Sequence, residues 1–173
     1  MPNGTAQAEL IRSVYESAGL DVRDTGYVEA HGTGTKVGDP IEAAALYSAF
    51  GEGRSPRDPL YIGSVKSNIG HTEGTSGIMS VIKTALMLEK GFILPNINFE
   101  KPNEAIPLAQ WNIKVCTTNT LRFQAPNSSI IRDRFPKLRF HGRGRDVWQV
   151  SIILALVEPM ATLYLKRLLA PPD

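Results

Sequence analysis

The chain has 173 residues, 42% of them hydrophobic, enough apolar material for one folded domain. A formal net charge of +2 is too small to point to nucleic acid or a membrane surface, although Arg132, Arg134, Lys137, Arg139, Arg143 and Arg145 gather positive charge in one late stretch. A single cysteine, Cys116, excludes an internal disulfide framework, and the longest apolar run, Ile152 to Val157, is far too short to cross a bilayer.

Residues 6–18 place Leu10, Ile11, Val14, Tyr15 and Ala18 at helical spacing, with Gly19 positioned to end the helix. Tyr27 to Ala30 predicts a short buried strand running into a loop where Gly32 and Gly34 permit unusual backbone angles. Asp39 then reads as an N-cap, Pro40 as the first helical residue and Glu42 as a capping-box partner. That helix carries Ile41, Ala45, Leu46 and Phe50 and stops at Gly51. Gly53 to Pro59 is a surface connection, Leu60 to Val65 predicts a second strand, and 66–77 a loop containing Gly70, Gly74 and Gly77. Ile78, Val81, Ile82, Ala85 and Leu86 mark another helix ending near Gly91. Residues 92–110 are proline-punctuated and irregular, and Trp111 to Val115 predicts a further strand. Strand, glycine loop and helix occur twice, the pattern of an α/β fold with functional loops at strand ends.

Two histidines stand out, His31 in Glu-Ala-His-Gly-Thr-Gly-Thr (29–35) and His71 in Val-Lys-Ser-Asn-Ile-Gly-His-Thr-Glu (65–73). Each follows a hydrophobic strand, and each is flanked by glycines that let backbone approach a ligand. Two neutral imidazoles converging on one carbonyl oxygen can stabilise an enolate. A phosphate cradle at Gly32-Thr33-Gly34-Thr35 lacks the Walker lysine and serine and the full dinucleotide fingerprint. A zinc site from His31, His71 and Asp39 lacks close ligand spacing, and Asp39 is better explained as a helix cap, so no metal is expected. Cys116 sits in a strand pattern with no helix N-terminus behind it to lower its pKa, which favours a core or edge residue over a nucleophile.

The runs Met-Pro-Asn-Gly-Thr-Ala-Gln (1–7), Tyr-Val-Glu-Ala-His-Gly-Thr-Gly-Thr (27–35), Gly-Asp-Pro-Ile-Glu-Ala (38–43), Gly-Ser-Val-Lys-Ser-Asn-Ile-Gly-His-Thr-Glu (63–73), Leu-Pro-Asn-Ile-Asn-Phe (94–99) and Trp-Asn-Ile-Lys-Val (111–115) occur in that order. Together they closely resemble the C-terminal half of the β-ketoacyl synthase domain of fungal iterative type I polyketide synthases. The resemblance covers residues 1–118 and implies an incomplete thiolase-like fold of layered helices and sheets. It implies decarboxylative Claisen condensation of acyl and malonyl thioesters, an acyltransferase activity, with no cofactor bound and the substrates carried on phosphopantetheine by an acyl carrier domain. It further implies an acyltransferase domain as partner, a homodimer, a cytoplasmic location, and no nucleic acid or membrane partner. His31 and His71 match the histidines that hydrogen-bond the malonyl thioester oxygen. Lys66 matches the family lysine and Glu73 the acid paired with it, in orienting and electrostatic roles. Gly32, Thr33, Gly34 and Thr35 match the pocket-shaping loop, the threonines as pantetheine contacts. The family's nucleophilic cysteine has no counterpart in these residues, so the isolated chain is expected to be inactive, with residual decarboxylation of malonyl thioesters as the weaker alternative. A noncatalytic chain that docks on a full-length synthase is the rival expectation.

After Thr118 the resemblance stops where the family continues to a Phe-Gly-Phe-Gly-Gly-Thr-Asn segment. Back-translating Val147 to Lys166 and advancing two nucleotides permits Met-Ala-Ser-Val-Asn-Asn-Phe-Gly-Phe-Gly-Gly-Thr-Asn-Gly-His-Thr-Ile-Leu-Glu. Residues 119–173 are therefore expected to be an out-of-frame reading of ketosynthase sequence, a tail whose pattern was never selected to pack. Its basic cluster then carries no functional meaning. Missing packing layers also predict unpartnered apolar surface, low solubility and marginal stability.

Overall fold

The computed structural model describes residues 3–90 and 92–117; the expected tail, 119–173, lies outside the described residues. Helix α1 spans Gly4–Ala18, two residues earlier than its apolar spacing indicates, because the Asn3 side chain caps it by accepting from Ala6 N at 3.1 Å. Gly19 ends it in the left-handed region at φ 63°. A short 3₁₀ turn, Val22–Asp24, leads into strand β1, Tyr27–Glu29. Helix α2 is Gly38–Phe50, β2 is Leu60–Gly63, α3 is Lys66–Ile69, α4 is Ser76–Lys90 and β3 is Ile113–Val115. The stretch expected to be all loop, 66–77, thus contains α3 and a 3₁₀ turn at Glu73–Thr75.

The three strands form a parallel sheet in the order β1-β2-β3, with Tyr27 opposite Tyr61, Glu29 opposite Gly63, and Leu60 opposite Ile113. Every residue of β1 is buried, as expected of a parallel strand covered on both faces. Alternation along β1 divides the core. Val28 joins Ile11, Tyr15, Leu46, Phe50, Leu60 and Ile113 under α1 and α2, with the Tyr15 and Phe50 rings edge-to-face at 5.5 Å. Tyr27 joins Met87, Ile93 and Cys116 on the α4 side. Helices therefore cover both faces of a parallel sheet, the expected α/β class.

Two local expectations at the start of α2 are corrected. Asp39 is not the N-cap: the helix begins before it, at Gly38, whose N–H is taken by the Thr35 hydroxyl at 3.0 Å. Glu42 makes no capping-box bond; its carboxylate reaches out of the helix to another loop, as described below. Helix α4 forms where expected, but Ile78, Val81, Ile82 and Leu86 are exposed, while Ser76, Ser80, Lys83 and Thr84 are buried, Lys83 against Glu29 of the sheet.

Candidate active site

Because β1 and β2 run parallel and end in register at Glu29 and Gly63, the loops that follow them emerge side by side. Ala30 N continues the ladder by donating to Gly63 O at 2.7 Å. Chain direction then delivers His31 directly, whereas His71 returns to the same place only after α3 and a turn at Gly70. Their ring centroids lie 5.4 Å apart at an interplanar angle of 88°. Gly32 makes this approach possible. Its φ is +50°, and a Cβ there would sit 2.8 Å from Ser64 Cβ on the neighbouring loop.

The protonation pattern of His71 follows from one hydrogen bond. Glu73 adopts φ 47°, which turns its N–H back onto His71 Nδ1 at 3.1 Å. A nitrogen that accepts carries no proton, so the neutral ring bears its proton on Nε2. His71 is exposed and His31 half-buried, so a ligand can reach the pair.

Beneath the histidines lie two buried carboxylates. Glu42 on α2 accepts from His31 N at 2.7 Å and Gly32 N at 2.9 Å, fixing the first histidine's loop from below. Burial pushes its carboxyl pKa up; Asp39 adds to the rise, while the two amides and Lys66 oppose it without reversing it. Glu29 on β1 accepts from Val65 N and the Tyr27 hydroxyl, each at 2.5 Å, and from Lys83 Nζ at 2.7 Å. Burial and the Glu29 charge push the Tyr27 phenol far up, so it stays a protonated donor.

Lys66 opens α3 half-buried; burial pushes its amine down, and the Glu29 and Glu42 carboxylates hold it up. Among the described residues no ion pair joins Lys66 to Glu73, whose side chain is exposed. Gly34 N donates to Asp39 Oδ1 at 3.2 Å, the Thr35 hydroxyl accepts from Gly38 N at the start of α2, and Thr33 is half-buried. Cys116 is buried, its Sγ 3.9 Å from Ile93 O, in the core cluster of Tyr27 and Met87. No group of three or more His, Cys, Asp or Glu side chains is arranged to hold a metal ion among the described residues, and no described helix is long and apolar enough to cross a membrane. Glu29, Glu42 and Lys83 are the site residues that the motif reading missed. A charged residue inside the buried run Tyr-Val-Glu-Ala, and a lysine inside an apolar helix, were the available signals.

Parallel strands backed by helices on both faces, with strand-end loops gathered at one edge, define an incomplete thiolase-like fold. Residues 1–100 match the family described as β-ketoacyl synthase, C-terminal domain, and the chain belongs to the β-ketoacyl synthase family. It is 64% identical over 118 residues to "Highly-reducing polyketide synthase 1" of Aureobasidium melanogenum and 61% identical over 118 residues to "Reducing polyketide synthase PKS1" of Cochliobolus heterostrophus. Each alignment covers 68% of this chain and 5% of the relative's length. The ketosynthase from module 6 of the bacillaene synthase of Bacillus subtilis 168 superposes with a TM-score of 0.67 at 38% identity, covering 73% of this chain and 22% of that one.

Proposed function

We propose that this chain carries the enolate-stabilising part of a polyketide ketosynthase site, with His31 and His71 as its hydrogen-bond donors. The observation that carries the reading is the 5.4 Å approach of the two imidazoles at the ends of adjacent parallel strands, with the proton of His71 assigned to Nε2. In the proposed step a malonyl thioester loses carbon dioxide. The bond to its carboxylate breaks, the electron pair moves into the thioester to give an enolate, and imidazole N–H groups meet the charge developing on the oxygen. Removing one such donor costs about 3 kcal/mol of transition-state stabilisation. Gly32, Thr33, Gly34 and Thr35 shape the approach for the pantetheine arm, and Lys66 contributes electrostatically. Glu73 serves His71 through its backbone rather than through a carboxylate paired with Lys66. The substrate reaches the site on the phosphopantetheine of an acyl carrier domain, with an acyltransferase domain and a second ketosynthase copy as further partners.

Condensation also requires a nucleophile, and the one cysteine in these 173 residues, Cys116, is buried in the core beside Tyr27 and Met87. The chain alone is therefore a decarboxylating half-site that does not condense. The test is carbon dioxide release from a malonyl-pantetheine thioester. Release above that of a His31→Ala/His71→Ala control supports the reading, and release equal to the control removes it. Residues 119–173 we assign to an out-of-frame reading of ketosynthase sequence, which sequencing of the locus and transcript checks directly.

The outward apolar face of α4 favours a second reading, a noncatalytic chain docked on a full-length synthase. A stable complex together with no decarboxylation would select it.

A further inference from the structure

We propose that Glu29 is the positioning residue for Lys66, fixing through Val65 N the backbone from which Lys66 departs and placing a buried negative charge at the same strand end. The inference rests on Lys66 belonging to the thioester site, and it gives a role to a residue that the motif reading passed over.

Glu29 stands two residues before His31, at the buried end of β1, with 3% of its surface exposed. One carboxylate oxygen accepts from Val65 N, the peptide immediately before Lys66. The other accepts from the Tyr27 hydroxyl and from Lys83 Nζ, itself buried on α4, and Lys83 Nζ also donates to the Tyr27 hydroxyl at 3.0 Å. A carboxylate so enclosed has three donors, one covalently continuous with the Lys66 backbone, and cannot move without breaking them. Ser64, on the other side of Val65, is held by Asn96 Oδ1 accepting from its N–H at 2.9 Å. The turn into α3 is thereby pinned at consecutive peptides, and Lys66 leaves it in a set direction. Two carboxylates act on the Lys66 ammonium, Glu29 from β1 and Glu42 from α2, against a burial that disfavours its charge. The same Glu42 holds the His31 loop, so the lysine and both histidine loops share one carboxylate frame.

A mainly structural Glu29 and a positioning Glu29 predict opposite shifts. If Glu29 only holds the fold, its loss loosens the turn, exposes Lys66 and moves its titration up toward an ordinary lysine. If Glu29 supplies the charge that Lys66 faces, its loss moves the titration down. The experiment is competitive acetylation of the full chain across pH, with Lys66 read site by site in mass spectrometry and folding followed by far-UV circular dichroism. Glu29→Gln is expected to lower the Lys66 midpoint, so that labelling near pH 8 is roughly three- to tenfold faster than in the parent chain. Glu29→Gln leaves the Lys83 ammonium buried without a carboxylate, so Glu29→Gln/Lys83→Met is run beside it as a neutral replacement of similar volume. The double variant is expected to shift the midpoint the same way by a smaller factor. A midpoint that stays or rises in whichever variant folds overturns the proposal. Neither readout requires decarboxylation, so failure of the thioester reading leaves this result intact and the reverse also holds.

Discussion

Glu42 is where burial and hydrogen bonding oppose one another most directly, and Glu42→Gln turns that opposition into a measurement. The carboxylate gives one oxygen to His31 N at 2.7 Å and the other to Gly32 N at 2.9 Å. Glutamine keeps the shape but has a single acceptor oxygen, so its amide nitrogen meets one of the two N–H groups donor to donor. Leaving one buried amide unsatisfied costs about 1–3 kcal/mol, and because His31 and Gly32 are only half-buried the lower end applies, about 1 kcal/mol. For a folded region of this size that corresponds to a fall in Tm of about 4 °C. The pH dependence follows from the raised carboxyl pKa. A group whose folded pKa lies above its unfolded value of 4.5 contributes fully below that value and loses its contribution as pH rises through the folded pKa. The Tm difference between parent and Glu42→Gln is therefore widest near about pH 4 and narrows toward neutrality. Thermal melts by circular dichroism across that range measure it, and amide exchange at His31 and Gly32 locates it. A difference that widens with pH would refute the reasoning, because it would mean that the two amides outweigh desolvation and that the pKa is lowered.

Gly32→Ala should be more damaging, since it places a Cβ 2.8 Å from Ser64 Cβ in a residue at φ +50°. The left-handed backbone alone costs about 1–2 kcal/mol, so a melt unchanged from the parent would contradict the close packing of the two loops. Cys116, 2% exposed, should resist alkylation in the native chain and react on unfolding; rapid native alkylation would reopen its reading as a nucleophile. Ile78→Lys/Ile82→Glu alters two exposed positions on α4 and should leave the melting midpoint within about 0.5 kcal/mol per site while reducing binding of an apolar dye and aggregation. A large loss of stability would show that the outward face is covered in the isolated chain.

The periodic signals in the sequence carried the elements: apolar spacing for α1 and α4, short hydrophobic runs for β1 and β2, and Gly19 as a stop. What they missed was direction. Asp39-Pro40-Ile41-Glu42 has the composition of a helix start, but both carboxylates are spent on the preceding glycine loop, the N-cap position falls at Val37, and the Gly38 N–H goes to the Thr35 hydroxyl. Local spacing cannot distinguish these outcomes, because Glu42 meets His31 N only once β1 has delivered the loop across the end of α2. The histidines were legible because each sits in a distinctive glycine setting. Glu29 and Lys83 were not, because 54 residues separate them and their pairing exists only when α4 lies on the sheet.

The orientation of α4 shows why an apolar-stripe argument misplaces its faces. Its hydrophobic positions, Ile78, Val81, Ile82 and Leu86, would ordinarily turn inward. Turning them inward here would remove Lys83 from Glu29 and leave a carboxylate buried at 3% exposure without its cation, a loss on the order of 3–5 kcal/mol. The inward face instead presents Lys83 to Glu29, with Met87 packed beside Tyr27. Its other buried hydroxyls are satisfied within the helix: Ser80 Oγ donates to Ser76 O at 3.2 Å and Thr84 Oγ1 to Ser80 O at 2.8 Å. Such a helix has a buried polar face satisfied by Glu29 and by its own carbonyls and an exposed apolar face, in a chain that spans 22% of the ketosynthase it superposes on. The same contact that turns the apolar stripe outward is the one that neutralises Glu29 and, through Val65 N, holds the turn leading to Lys66.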